Sequence, residues 1–242
     1  MTRIMALMNQ YKPGEQEKRE DAVRRSASGA VEVGFTQLVG SVGGGYTTDF
    51  HRSLVAPIVA RAAFAAQAAG WDAVVTWGTL DLGVEESRHV VDIPVLGPGR
   101  TACMATRALV ERFGVVCYDE PWVVMFSKLS RQWRVDDSIV GIRSIGLPQQ
   151  AITTSPDEVF ERFLDRARAL LDLGAQAILP LGLSMVPVAI EARALADELG
   201  VPVPDPLAIT MRMAEALAVT GVTNSQLAYP RAAIPPESPP AT

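Results

Sequence analysis

Gly70-Trp-Asp-Ala-Val-Val-Thr-Trp-Gly78 and Gly174-Ala-Gln-Ala-Ile-Leu-Pro-Leu-Gly182 share one spacing and one apolar pattern. They stand 104 residues apart, and they are the centre of an internal repeat. Ile93-Pro94-Val95 matches Val201-Pro202-Val203 at an offset of 108 residues. Ala108-Leu109 and Ala216-Leu217 each follow the corresponding proline at the same distance. At the start of the chain, the apolar run ending at Asn9 has a counterpart in the run ending at Tyr118. A repeat of this length predicts two similar α/β halves about a pseudo-twofold axis. Lobe 1 is expected to comprise residues 1–97 with 207–223, and lobe 2 residues 98–206. The Pro-, Ala- and Ser-rich residues 224–242 form a tail.

Working outward, short apolar runs alternate with helical stretches. Strands are expected at Ile4–Met8, Val31–Leu38, Ala73–Thr76, Pro94–Leu96, Gly114–Tyr118, Ile139–Ile145, Ala177–Leu181 and Val201–Val203. Helices are expected at Glu15–Ser26, Leu54–Ala69 (with Pro57 near its start), Val84–His89, Thr101–Phe113, Ser127–Trp133, Pro156–Leu173, Val188–Leu199 and Leu207–Val219. Ser155 and Asp205 stand where N-caps belong, each followed by proline. Strand–helix alternation predicts parallel sheets covered by helices, that is, two Rossmann-like lobes. Ligands of such sheets bind beyond the carboxyl ends of the strands. The two halves would pool those ends in one cleft.

Composition narrows the class. The 242 residues are 48% hydrophobic and 20% charged, enough for a sizeable core and unlike a disordered chain. Aromatic residues are only 6%, so Ala, Val, Leu and Ile must fill that core. The formal net charge is −5 with no basic block, which argues against a nucleic-acid partner. No apolar run reaches the roughly 18 residues of a membrane span. The N-terminus enters a strand-like run without a signal-peptide layout. Cys103 and Cys117 make neither a disulfide framework nor a zinc pattern, and no metal is expected. A cytoplasmic enzyme is the expected setting.

The ordered segments Asn9, Gly44-Gly45-Tyr46, Asp72-Ala-Val-Val75, Asp81, Gly83, Val140–Pro148, Met185 and Val201-Pro-Val-Pro-Asp-Pro206 resemble the aspartate/glutamate racemase superfamily. The likeness runs from Arg3 to about Leu217 and is nearest to hydantoin racemase, with arylmalonate decarboxylase and maleate isomerase as relatives. It implies a cofactor-independent, two-lobed enzyme acting on a small carboxylate or cyclic amide. In the racemases one cysteine per lobe faces the other across the cleft. One thiolate removes a proton beside a carbonyl and the other thiol returns one to the opposite face. Here the two cysteine positions fall on Gly78 and Gly182. Gly78-Thr79 resembles the Gly-Thr of arylmalonate decarboxylase, which keeps a cysteine at the second position.

The residues that remain set the candidates. Asn9, Gly78, Thr79, Gly182, Leu183 and Ser184 are expected to bind the substrate anion, through side chains and through amides at strand-to-helix turns. The tight turns themselves would also explain both glycines by positive φ. Cys117 is a candidate proton mover or a buried core thiol. Tyr118 is a hydrogen-bond donor to an enolate or a half-buried ring. His51 is a candidate base or a polar helix start. Cys103 reads as helix packing and His89 as solvated. Asp119 and Glu120 read as loop charge or as bases. Trp77 and Trp122 stand near strand ends and would make the cleft apolar, unless they fill core. The reaction expected is of racemase or isomerase type with a non-standard proton donor. The alternatives are a decarboxylase, lyase or hydrolase on this fold, or a non-catalytic carboxylate-binding protein. A homo-oligomer is expected.

Overall fold

The computed structural model describes residues 1–38 and 48–233. The expectations on Gly44-Gly45-Tyr46 and on the end of the tail lie outside the described residues. The elements run β1 Thr2–Met8, α1 Pro13–Ser26, β2 Val31–Gln37, α2 Asp49–Ala68, β3 Ala73–Thr76, α3 Val84–Arg88, β4 Val95–Leu96 and α4 Pro98–Arg107. The second half runs β5 Phe113–Cys117, α5 Glu120–Trp133, β6 Ile139–Ser144, α6 Pro156–Leu171, β7 Ile178–Pro180, α7 Ala192–Leu199 and α8 Pro206–Val219. Two all-parallel sheets result, in the orders β2-β1-β3-β4 and β6-β5-β7. They form two Rossmann-like lobes.

The first sheet is covered on both faces, and the period of two along β1 shows how. Met5 and Leu7 pack with Val55, Val59 and Ala63 of α2. Ile4, Ala6 and Met8 pack with Ala22 and Val23 of α1 and Leu207, Met211 and Ala214 of α8. Burial of each large side chain on these faces contributes about 1.5–3 kcal/mol. In the second lobe α5 and α6 bring Phe126, Leu129, Phe163 and Leu170 onto Val115, Val116 and Ile178. Ala102 and Cys103 of α4 join that second core. The helix ending each half therefore packs on the other half's sheet or core, and α4 and α8 meet.

The repeat is visible bond by bond. The Asp72 N–H donates to the Arg3 carbonyl at 2.9 Å, as the Gln176 N–H does to the Arg112 carbonyl at 2.9 Å. In return Asp72 Oδ2 accepts from Arg3 N at 2.8 Å, and Gln176 Oε1 from Arg112 N at 3.1 Å. Trp77 N–H reaches Leu7 O at 2.8 Å, and Leu181 N–H reaches Val116 O at 2.9 Å.

Several expected boundaries move, for local reasons. Val201–Val203 is not a strand. Pro202 and Pro204 lack the N–H a ladder needs, and the segment gives β7 one bond, Ile178 N–H to Pro202 O at 3.0 Å. The helix expected over 101–113 is α4, which starts at Pro98 and stops at Arg107, because Phe113 already begins β5. α5 starts at Glu120 rather than Ser127, with proline in its first turn. α2 starts at Asp49, where Thr48 Oγ1 accepts from His51 N, so Pro57 is interior. The helix expected from Val188 splits into a wide turn over Ser184–Ala189, broken at Val186, and α7. Ser155 holds the N-cap position of α6 without a side-chain bond. Asp205 does cap α8, accepting from Leu207 N at 2.8 Å and Ala208 N at 3.1 Å.

At the symmetry-related start of α4 the cap comes from a distance. Asp81, at φ 51°, accepts from Gly99 N at 2.7 Å and Arg100 N at 2.8 Å. Burial pushes its carboxyl from the ordinary 3.8 up to about 7, against those two bonds and the nearby Arg88 and Arg52. Folded Asp81 thus keeps its proton at pH values where the unfolded residue has lost it. Its contribution to stability is full in acid and declines as pH rises between about 4 and about 7. In chemical denaturation, wild type should lose about 1–3 kcal/mol relative to Asp81→Asn between about pH 5 and about pH 7.5.

Candidate active site

Parallel pairing points the carboxyl ends of all strands in a sheet the same way. The residues just after β1, β3, β5 and β7 meet between the lobes around a small cavity. Lobe 1 contributes Asn9, Tyr11, Trp77, Gly78, Thr79, Leu80 and Leu82. Across from them stand Tyr118, Trp122, Gln149, Leu183 and Ser184. Six of the nine residues expected at the site line this cavity: Asn9, Gly78, Thr79, Tyr118, Leu183 and Ser184. Trp77 and Trp122 line it too, so the apolar wall anticipated from the scarce aromatics is present.

The two glycines differ in their reason for being glycine. Gly78 has φ 108°, which a side chain strains, and a Cβ there would meet nothing within 4 Å. Gly182 does not have positive φ, a correction to the symmetric-turn expectation. Instead, a Cβ on Gly182 would lie 2.5 Å from Tyr118 Cζ and 2.8 Å from its hydroxyl oxygen. The Tyr118 ring occupies the space into which a side chain at 182 would grow. It is held edge-on to Trp122, with centroids 4.8 Å apart, and its oxygen accepts the Ser184 N–H at 2.9 Å. Burial pushes the phenol well above its ordinary range. Opposite, Thr79 Oγ1 is buried and has no hydrogen-bond partner among the described residues, an acceptor and donor left for a ligand.

Cys117 and His51 stand elsewhere. Adjacent strand residues point to opposite sides, so Tyr118 facing the cavity leaves Cys117 turned away. Its Sγ lies 3.6 Å from the Arg143 carbonyl, the residue is fully buried, and burial drives the thiol far up, away from thiolate. His51 Nδ1 lies 2.9 Å from Thr48 Oγ1 in the first turn of α2. Neither lines the cavity. His89, expected to be solvated, meets the Pro230 carbonyl at 2.8 Å and the Tyr229 ring.

Sequence reading missed Gln149 and above all Arg19, and Tyr11 stood out only as part of the segment after β1. Arg19 is 3% exposed. It stacks 4.0 Å over the Tyr11 ring, bonds Ser184 Oγ at 3.0 Å, and pairs with Glu15 at 2.7 Å. Trp77 Nε1 donates to the Tyr11 hydroxyl at 3.0 Å. A polar α1 with charges at eight of its fourteen positions gave no signal that one of them was buried. Glu15 also accepts from Thr153 at 2.8 Å, linking the lobes beside a wider outer chamber that shares Tyr11 and Gln149 with the cavity. Partial burial raises the Glu15 carboxyl, but the bonds from Arg19, Lys18 and Thr153 outweigh it and bring it down to about 2. Among the described residues, no cluster of His, Cys, Asp and Glu is placed to hold a metal, and no helix is long and apolar enough to cross a membrane.

Two Rossmann-like lobes with a polar-and-aromatic cavity at their joined strand ends define a class of cleft enzymes. The family model for Asp/Glu/hydantoin racemase matches residues 19–214, and the chain belongs to that family of racemase- and isomerase-type enzymes. Allantoin racemase from Klebsiella pneumoniae is similar over 96% of this chain and 95% of its own, at 24% identity and a TM-score of 0.82. Maleate isomerase from Pseudomonas putida covers 89% and 92%, at 12% identity and 0.66. A mutant arylmalonate decarboxylase covers 91% and 94%, at 17% identity and 0.61. At these identities the likenesses speak for the fold. No curated protein sequence matches the chain.

The cramped space at Gly182 makes a direct test. Gly182→Ala should cost about 1–3 kcal/mol by overpacking the ring. The double variant Gly182→Ala/Tyr118→Ala should show coupling, with a total cost below the sum of the two single ones in urea unfolding.

Proposed function

We propose that the protein is a cofactor-independent enzyme acting at a carbon beside a carboxylate or cyclic carbonyl, with Tyr118 delivering the proton from one side. The carrying observation is the Tyr118 phenol lodged where a side chain at position 182 would begin. In the racemases that this sequence resembles, that position holds the second thiol. Among the described residues, the cavity lining holds no carboxylate, thiol or imidazole. A phenol whose acidity is weakened by burial stays protonated at neutral pH, so it serves as a proton donor rather than a base. Two-base inversion is thereby disfavoured. Loss of CO2 followed by protonation of the enolate, or a double-bond shift, requires only one delivered proton and fits this lining.

The remaining residues have corresponding roles in this reading. Asn9 and the unpartnered Thr79 hydroxyl hold the carboxylate or enolate oxygen. Trp77, Leu80, Leu82 and Trp122 receive an apolar or aromatic substituent. Cytoplasmic location and a homo-oligomer remain part of the proposal. Exposed Met104, Met213 and Val222 beside the α4–α8 contact are the apolar surface an oligomer would cover.

The test uses 2-substituted malonates and 5-substituted hydantoins in D2O, read by NMR. Decarboxylation with deuterium on a single face is the expected result. Tyr118→Phe should lower kcat by about 10²–10⁴-fold with little change in KM. Rapid inversion of hydantoins that survives Tyr118→Phe would overturn the proposal. Binding without turnover of any of these compounds would favour a carboxylate-binding protein.

A further inference from the structure

Arg19 is the buried charge the reaction above does not use. It projects from α1 of lobe 1 and ends in lobe 2, where its guanidinium donates to Ser184 Oγ at 3.0 Å. The same serine donates its backbone N–H to the Tyr118 oxygen at 2.9 Å. Ser184 and Tyr118 are at most 1% exposed, and Arg19 is nearly as buried. A guanidinium so buried has lost most of its hydration; among the described residues one carboxylate, the part-exposed Glu15, neutralises it, and the Glu15 carbonyl accepts from it at 2.6 Å. Among the described residues its Nε has no partner. Such a charge is costly unless something nearby gains from it.

We infer that Arg19 is a positioning residue for proton delivery: acting through Ser184, it holds the Tyr118 oxygen in place and stabilises the phenolate left when Tyr118 gives up its proton. This rests on Tyr118 being the donor. The step is balanced. The C–C bond to the departing CO2 breaks and leaves its electron pair as an enolate. The Tyr118 O–H bond breaks, its proton forms the new C–H bond, and the charge moves to the phenol oxygen. That oxygen is then faced by the Ser184 N–H and the Arg19 charge, and it regains a proton from water. The oxygen accepts the Ser184 N–H, so that bond does not engage its own proton.

The other charged and titratable groups nearby are few. Tyr11 lies under Arg19, stacked on its guanidinium. Glu15 faces Arg19 from one turn earlier on α1 and is itself held by Lys18 and, from lobe 2, by Thr153. Asp119 and Glu120 follow Tyr118, and Glu120 is engaged with Ser144. The tuning therefore has two handles of opposite sign: Arg19, which favours the phenolate, and Glu15, which weakens Arg19.

The experiment places 3,5-difluorotyrosine at position 118, which brings the phenol's titration into a range where the protein stays folded, and follows it by fluorine NMR without substrate. Arg19→Gln should raise the apparent pKa by one unit or more, about tenfold in acidity, and Arg19→Lys should restore part of it. Glu15→Gln should lower it. With a substrate that turns over, Arg19→Gln should reduce kcat at least tenfold while KM changes less than threefold. If Arg19→Gln does not fold, the downward shift in Glu15→Gln decides. An unmoved titration in folded Glu15→Gln and Arg19→Gln overturns the inference. Shifts as expected, in a protein that turns over no substrate, would uphold the coupling between Arg19 and Tyr118 and sink the proton-donor reading instead.

Discussion

The contact between the Tyr118 oxygen and the Ser184 amide, made across the bare backbone of Gly182, is the constraint around which the cleft is arranged. It joins the end of β5 to the turn after β7. It can exist only if residue 182 carries no Cβ, since the ring lies within 2.5 Å of where that atom would be. Trp122, from the first turn of α5, fixes the ring's tilt. With ring and serine in place, the serine hydroxyl becomes the landing point for Arg19 from the other lobe. Arg19 in turn draws Glu15, and through it Thr153, so that the contact network across the lobes begins at one phenol.

The two halves repeat in backbone and diverge in chemistry. Matching ladder bonds at Asp72 and Gln176, and at Trp77 and Leu181, keep the strand ends in register. At those ends lobe 1 presents Asn9 and Thr79, small groups able to hold an anion, while lobe 2 presents Tyr118 and Leu183. Gly78 is demanded by its left-handed backbone and Gly182 by a neighbouring ring. α8 is capped by the residue just before it, and α4 by Asp81, remote in sequence. A pseudo-symmetric scaffold thus carries an asymmetric cavity, in keeping with the one-sided proton transfer proposed for it.

Much of the fold was legible from residues 70–78 and 174–182, and the site candidates from the strand ends together with the family resemblance. Apolar period and glycine spacing encode strands and turns locally, and a repeat of such units leaves few ways to pack them. Hence the parallel sheets, the cleft at their ends and six lining residues followed from sequence. Helix starts were less legible at α2 and α5, where Pro57 and Pro121 obscured the boundaries, and Val201–Val203 read as a strand because its apolar run outweighed its prolines.

Proximity across the chain was beyond sequence. Nothing near Gly182 announces that Tyr118, 64 residues earlier, fills its side-chain space. Nothing in the charged repeat of α1 distinguishes Arg19 from Arg24 or Arg25, yet one is buried against Ser184 and the others are exposed. Cys117 ends β5 and Tyr118 follows it, and only the placement of that strand end sends the phenol to the cleft and leaves the thiol in the core. Local pattern specifies which elements form. Which side chains share a cavity depends on packing between elements distant in the chain, and that packing is where this site's chemistry was assembled.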